Sequence, residues 1–436
     1  MYRNSQLNQL GASGAQPVTV YVAGGVRDAA GLAAAPGAVA VVGDRVLVAG
    51  PAGAVLDQIP PDASRIDLPD HLLLPGLVNA HVHLDLTDIG PLPYPGSFID
   101  WIRHIIAHRP RTPDAIASAV ARGAALSRSA GVLTVGDIAG ELHALTALAQ
   151  TDLRGVSFIE LIGLDETSID HIRRLSAAFT HPDLAQPRSA IRPGASPHAP
   201  YSTGPFIYGP ADLIAQQLRA PFTTHLAETL EEAQFVADAT GPFRELIESL
   251  GRWDDRLLDH YGSGDSPVHW FTRHVTTPSL LAHCNHVGDF DMAMLAEAGH
   301  SVAYCPRASD YFGHRRHRYR DMIEAGINVC LGTDSIVCHG SLSILDEMRH
   351  LHARDGTDPA LLLKMATMNG LRALRLDEHD ATFGAGASPG IVAVAYDRHS
   401  TVDPLQQVLD PLCPSRPDSV RVVHWRTGVG VTGSES

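Results

Sequence analysis

The segment LPGLVNAHVHLDL, Leu74 to Leu86, runs through apolar residues and then sets His81 and His83 one residue apart. On a strand, side chains two apart point to the same face, so these two imidazoles can converge on one ion. The same kinds of side chain recur at the ends of other apolar, strand-length runs: His198 in SPHAP, His225 and Glu228 in THLAE, His283 in LAHCNH and Asp334 in LGTDS. With 24 histidines in 436 residues, one such pair arises by chance. A reading of ordinary core or surface histidines has to account for all of these positions at once. A divalent metal offered the imidazoles of His81, His83 and His225 and the carboxylate of Asp334 keeps one coordination position for water. Such an ion lowers the pKa of that water from near 16 to about 7, which makes hydrolysis the expected chemistry.

Residues so far apart need a scaffold that gathers strand ends. Eight apolar runs, LLLPGLVNAHVHL, VLTVGDIA, GVSFIELIGL, AIRPGASPHAP, PFTTHLAE, SLLAHCNH, HSVAYCPR and NVCLGTDS, are each followed by a loop and a helix-like stretch rich in Ala, Leu, Glu and Arg. Strands alternating with helices imply an α/β fold with a parallel sheet, and eight units imply a closed (β/α)8 TIM-like barrel with its chemistry at the C-terminal strand ends. Val/Ala-rich runs with Gly, Pro and Asp punctuation precede the barrel, and a similar texture returns in GIVAVAYD and SVRVVHW. These predict one small composite β domain built from both termini. The expected domains are 1–70 and 381–436 for the two parts of that β domain and 71–380 for the barrel.

The net charge of −15 argues against nucleic acid or an anionic membrane as the main partner, leaving a small-molecule substrate as the expected one and self-association into a homo-oligomer open. Cys284, Cys305, Cys330, Cys338 and Cys413 contain no C-x-x-C pair and are odd in number, as expected of reduced thiols, with Cys284 and Cys330 reading as small buried hydrophobes. The polar start MYRNSQLNQLGASG lacks the basic and apolar stretches of a signal peptide, so the expected location is cytoplasmic.

Together, HVH, SPHAPYSTG, THLAET, LAHCNH and LGTDS resemble the amidohydrolase superfamily, in its branch of metal-dependent deaminases and chlorohydrolases. The resemblance implies metal ligation by His81, His83, His225 and Asp334, proton transfer by Glu228, and positioning of the attacking water or leaving group by His283. It also implies that the composite β domain is a β-sandwich and that His198 touches the substrate, with Tyr201 and Ser202 as neighbours; the flat face of Trp101 in SFIDWIRHII is, from its own chemistry, a candidate pocket wall. Dinuclear members bridge two ions with a carboxylated lysine on a middle strand. The only lysine here, Lys364, lies beyond the eighth run, so one divalent ion, Zn2+ or Fe2+, is expected.

Glu228 would shuttle a proton from water to a ring nitrogen and on to the departing amine, while Glu231 and Glu232 read as solvated acids at a helix start. The stretch from Cys305 to Ser335 resembles deaminases of adenine nucleosides such as aminodeoxyfutalosine, on a menaquinone route, or S-adenosylhomocysteine, although Ser309 stands where His or Asn is expected. Arg316, among Arg315, Arg318 and Arg320, is the candidate for gripping a substrate carboxylate. The alternatives are hydrolysis of guanine, cytosine or a triazine by the same centre, and a non-catalytic metal-binding barrel, which would be signalled by a lost ligand or proton shuttle.

Overall fold

The computed structural model describes residues 17–165, 169–181, 190–410 and 419–425. The N-terminal polar segment and Cys413 lie outside these residues. Near the N-terminus the chain forms β1 (Val18–Arg27), β2 (Ala33–Ala34), β3 (Gly37–Val42), β4 (Arg45–Pro51) and β5 (Ser64–Pro75). Then come β6 (Leu77–Val82), β7 (Val132–Ala139), β8 (Arg154–Leu161), β9 (Ile191–Pro197), β10 (Thr223–Leu226), β11 (Leu280–His283), β12 (Ser301–Tyr304) and β13 (Asn328–Leu331), and finally β14 (Ile391–Ala395) and β15 (Val420–His424). The chain divides into two compact units, Met1–Gly76 with His379–Ser436, and Leu77–Glu378.

In the first unit, strands from both ends of the chain join in one seven-stranded sheet, ordered β15-β14-β5-β1-β3-β4 with β2 beside β1. The described strands of this unit are hydrogen-bonded into one connected sheet. Its alternation supports apolar clusters on both faces, with Tyr21, Val39, Leu73 and Ile391 in one and Val18, Val20, Ala38 and Val55 in the other.

The second unit is α/β with parallel sheets, and each of the eight apolar runs supplies one strand. β6-β7-β8-β9 form one four-stranded sheet and β10-β11-β12-β13 another. Strands β6, β7 and β8 are buried along their whole length, as expected of strands covered on both faces. The sheets meet at both edges. Between β9 and β10, the Ala195 N–H donates to Pro221 O (3.0 Å) and the His225 N–H to His198 O (2.9 Å); between β13 and β6, the Asp334 N–H donates to His81 O (3.0 Å).

Intervening helices begin with short polar caps followed by proline: Thr112-Pro113, Ser266-Pro267 and Asp358-Pro359, each cap side chain accepting a backbone N–H of the first turn. Cys284 and Cys330 are fully buried, as small hydrophobes should be. Among the described residues no helix is long and apolar enough to cross a membrane.

Candidate active site

His81 lies in β6, and His83 follows it as the N-cap of a 3-10 turn, Leu84–Ile89. His225 comes from β10 and sits against both: its Nε2 is 3.2 Å from His83 Nε2, and its ring centroid is 4.8 Å from that of His81. Asp334 reaches in from the turn after β13, with Oδ1 3.6 Å from His83 Nε2 and 4.0 Å from His81 Nε2. Glu228 and His283 complete the group at 3.6 Å, Oε1 to Nε2. Two triads of mutually close donor atoms result, His81/His83/His225 and Glu228/His283/Asp334, each within 4.8 Å and all six residues buried.

Local sequence explains the aim of these side chains. A Cβ on Gly332 would come within 2.9 Å of His81 Cβ, His81 O and Cys305 Sγ, so only glycine lets the β13 turn press against β6. Asn79 and Thr333 lock that seam, the Asn79 amide donating to Thr333 Oγ1 (2.7 Å) and its carbonyl accepting from the Thr333 N–H (3.1 Å). His225 Nδ1 donates to His198 O (2.9 Å), which leaves its Nε2 lone pair facing His83 and Asp334.

Burial, reinforced by the neighbouring imidazoles, holds His81, His83 and His283 well below the ordinary histidine range, and burial takes His225 down to about 3. These rings are therefore neutral lone-pair donors near pH 7. Burial pushes the carboxyl of Asp334 up to about 7, and burial together with the charges of Asp334 and Glu232 lifts Glu228 well above the usual carboxylate range.

Glu232 differs from expectation. Only Glu231 is partly exposed; Glu232 is fully buried, and its carboxylate accepts the N–H groups of Ala227 (2.9 Å) and Glu228 (2.8 Å). The sequence signal for this was the pattern Thr229-x-x-Glu232, with Thr229 Oγ1 accepting the Glu232 N–H (3.1 Å). Asn285 donates to Glu228 O (3.1 Å) and accepts from Ser309 Oγ (2.9 Å), which gives the unexpected Ser309 a place beside the site.

A cavity of about 580 Å³ opens onto His83, His225, Glu228 and Asp334. His198 and Tyr201 line it, with Tyr201 stacked on Phe243 at 3.8 Å, and Trp101 lines the opposite part from the helix Phe98–His108. Arg316 does not reach it: this residue is exposed in the segment between the helices Pro306–Tyr311 and Tyr319–Glu324, on the side that solvates rather than lines. The arginines that do line the cavity are Arg109 and Arg252, which the sequence reading missed. Glu160, near the end of β8, was missed as well; it is the one acid in a fully buried strand, a recognisable signal of a paired or functional charge.

The model of the amidohydrolase family matches residues 72–417. Two relatives are an aminodeoxyfutalosine deaminase of Deinococcus radiodurans, 28% identical over 79% of this chain and 82% of the relative, and a 5-methylthioadenosine/S-adenosylhomocysteine deaminase of Moorella thermoacetica, 29% identical over 82% of this chain and 81% of the relative. Among solved structures, an adenosine deaminase from Xanthomonas campestris with bound zinc superposes with a TM-score of 0.71 at 21% identity, covering 91% of this chain and 89% of that one. The family match spans most of the chain and contains every residue of the cluster: the chain belongs to the amidohydrolase family and is a hydrolytic enzyme.

Proposed function

We propose that this chain is a mononuclear metal-dependent deaminase that hydrolyses an adenine-type nucleoside, aminodeoxyfutalosine or one like S-adenosylhomocysteine, and releases ammonia. The observation that carries this reading is Glu228: a buried acid beside four converging donors, on the wall of a cavity, with a proton affinity that burial lifts well above the usual carboxylate range. The names borne by the relatives support the same reading.

The donor set fits a divalent ion. Both ring nitrogens of His81 are buried and find no hydrogen-bond partner among the described residues, and two buried acids lie close by in need of positive charge. His81, His83, His225 and Asp334 would hold zinc or iron. When bound, the ion supplies Lewis acidity that makes water nucleophilic near neutral pH.

The protein's own groups then manage protons and orientation. Glu228, as the carboxylate, carries one proton of the attacking water to the ring nitrogen beside the reacting carbon, and the second, accepted by Asp334, goes to the departing amine, so that a C–O bond forms, the C–N bond breaks and ammonia leaves. His283, its carbonyl fixed by the Nε2–H of His317 (2.7 Å), presents Nε2 to the same space and positions water or the leaving group. His198 and Tyr201 orient the ring, and Trp101 walls the cavity.

We also read β6 to β13 as one closed eight-stranded barrel, which the bridges at both sheet edges support, and the seven-stranded sheet as the composite β-sandwich, which its two apolar faces support. The two compact units are then the two domains, with boundaries at 76/77 and 378/379 where 70/71 and 380/381 were expected. A cytoplasmic location fits the four described cysteines, all buried and free.

The test is incubation with aminodeoxyfutalosine, S-adenosylhomocysteine, methylthioadenosine and adenosine, reading ammonia release and loss of adenine absorbance. Turnover of at least one is expected. Turnover of guanine, cytosine or a chlorotriazine with none of these four would overturn the nucleoside reading.

A further inference from the structure

Beyond the metal cluster, a second polar group faces the cavity. Arg109, the C-cap of the helix Phe98–His108, bridges two buried carboxylates: one guanidinium nitrogen donates to Asp85 Oδ2 and the other to Glu160 Oε2, both at 2.8 Å. Against the cost of burial, the Arg109 charge holds Glu160 down at about 2, so it is ionised throughout the working range. Its other oxygen, Oε1, accepts no hydrogen bond among the described residues. His198 Nε2 lies 4.0 Å from it, beyond hydrogen-bond reach, and both residues line the cavity.

The opposite face of His198 is occupied, Nδ1 lying 2.6 Å from Ser202 Oγ while the Ser202 hydroxyl donates to Ala199 O (3.2 Å). Nδ1 is thus the ring nitrogen engaged with Ser202, and Nε2 is the one left facing Glu160. A buried carboxylate oxygen and an unengaged ring nitrogen stand 4.0 Å apart with no hydrogen bond between them.

We infer that Glu160 and His198 form a substrate clamp that receives hydrogen-bond donors, hydroxyl or N–H, and that Glu160 is the residue selecting for them. His198 lies next outward from ligand His225, with ring centroids 4.8 Å apart, and Glu160 lies beyond it. The clamp therefore meets the part of the substrate away from the amine being replaced. On the nucleoside reading, which this inference deepens, that part is the sugar edge or the ring N–H that a free base carries there. The same buried anion repels a carboxylate, so an acidic tail on the substrate has to run elsewhere along the cavity.

Glu160→Gln tests this sharply because Arg109 offers only donors. The new amide must turn its oxygen to Arg109 and its NH2 to the cavity, exchanging an acceptor for a donor with little change of shape. Binding is measured by calorimetry with metal-loaded protein in a Glu228→Gln background that blocks turnover, using adenosine, 2′,3′-dideoxyadenosine and adenine. Glu160→Gln should weaken adenosine by about 10- to 100-fold, the loss of one hydrogen bond to a charged group, and leave dideoxyadenosine within about twofold. Weakening of adenine as well shows that the clamp also takes the ring N–H that the free base carries there, and its absence confines the clamp to the sugar hydroxyls. Glu160→Asp, which withdraws the carboxylate while keeping the partner of Arg109, should give a smaller loss with the same selectivity.

Equal weakening of all three ligands, or of none, overturns the clamp. Binding by the Glu228→Gln protein without turnover by wild type would overturn the deaminase reading alone. Failure of all three to bind would overturn both.

Discussion

Glu232→Gln is expected to make the enzyme slower and, above neutral pH, no less stable. In the native protein the Glu232 carboxylate is fully buried and accepts the N–H groups of Ala227 and Glu228, so it sets the backbone from which the proposed proton shuttle projects. An amide accepts only through its oxygen, leaving one buried N–H facing an NH2 group at a cost of about 1–3 kcal/mol. Opposed to this is the charge. Burial raises the Glu232 carboxyl from 4.5 to about 7, even though the three backbone N–H groups around it pull the other way.

An acid raised in the folded state binds its proton more tightly there than when unfolded. Its contribution to stability is therefore full below pH 4.5 and is lost as pH rises to about 7. The loss amounts to about 3 kcal/mol at 1.36 kcal/mol per pKa unit. Glutamine does not titrate, so the variant should be less stable by about 1–3 kcal/mol at pH 5, and equal to or more stable than wild type by pH 8. Urea unfolding of both proteins at matched metal content, at pH 5, 6, 7 and 8, measures the gap. Turnover should fall on the order of tenfold at every pH, because Glu228 loses its backbone anchor. A stability gap that stays constant, or widens with pH, would show that the backbone hydrogen bonds outweigh burial and would refute the reasoning.

Glu228→Gln should retain the metal and lose turnover by at least roughly a hundredfold, read by ammonia release; comparable rates would remove Glu228 from proton transfer. His81→Ala or Asp334→Ala should empty the metal site, and elemental analysis showing two ions per chain in wild type would refute a mononuclear centre. Gly332→Ala forces a methyl group against the His81 backbone and Cys305, all at 2.9 Å, and should cost about 1–3 kcal/mol in thermal or urea unfolding together with part of the bound metal. Arg252→Gln should raise KM only for nucleosides that carry a carboxylate; an equal effect on adenosine would deny Arg252 a part in reading charge.

The residues of the candidate site were legible because their types are unusual where they stand. A histidine or acid at the end of an apolar run is conspicuous, and parallel β/α architecture brings such ends together, so His81, His83, His198, His225, Glu228, His283 and Asp334 meet at one site from five strand ends. Arg316 failed for the opposite reason. A run of arginines is conspicuous too, but solvation is the cheaper place for a flexible cation: Arg318 pairs with Asp289 and Asp321 at the surface, and Arg316 stays exposed beside it. Asp85, Arg109 and Glu160 were invisible as a group because the interaction joins positions 24 and 51 apart, and no local pattern marks it. Glu160 alone carried a signal, as the one acid inside a fully buried strand.

Backbone strain could not have been read at all. Four non-glycine residues around the cluster, Ala227, His283, Cys284 and Asp334, hold positive φ angles of 51°, 73°, 51° and 59°. Such conformations cost on the order of 1–3 kcal/mol each for side chains of this kind, and nothing in the letters Ala, His, Cys or Asp announces them. All four fall just after β10, at the end of or just after β11, and after β13, strands only four residues long, whereas His81 and His83 carry no such angle. Short strands leave the chain little length over which to twist a side chain inward, and a left-handed residue turns it within one step. The turns are held by bonds to neighbouring strands: Cys284 N–H to Leu226 O (2.9 Å), Asp334 N–H to His81 O (3.0 Å), and the Ala227 N–H to Glu232 (2.9 Å). The half of the site bearing the proposed proton shuttle is thus aimed by constrained backbone, while the His-x-His half is aimed by strand periodicity, which is why only the latter announces its geometry in the sequence.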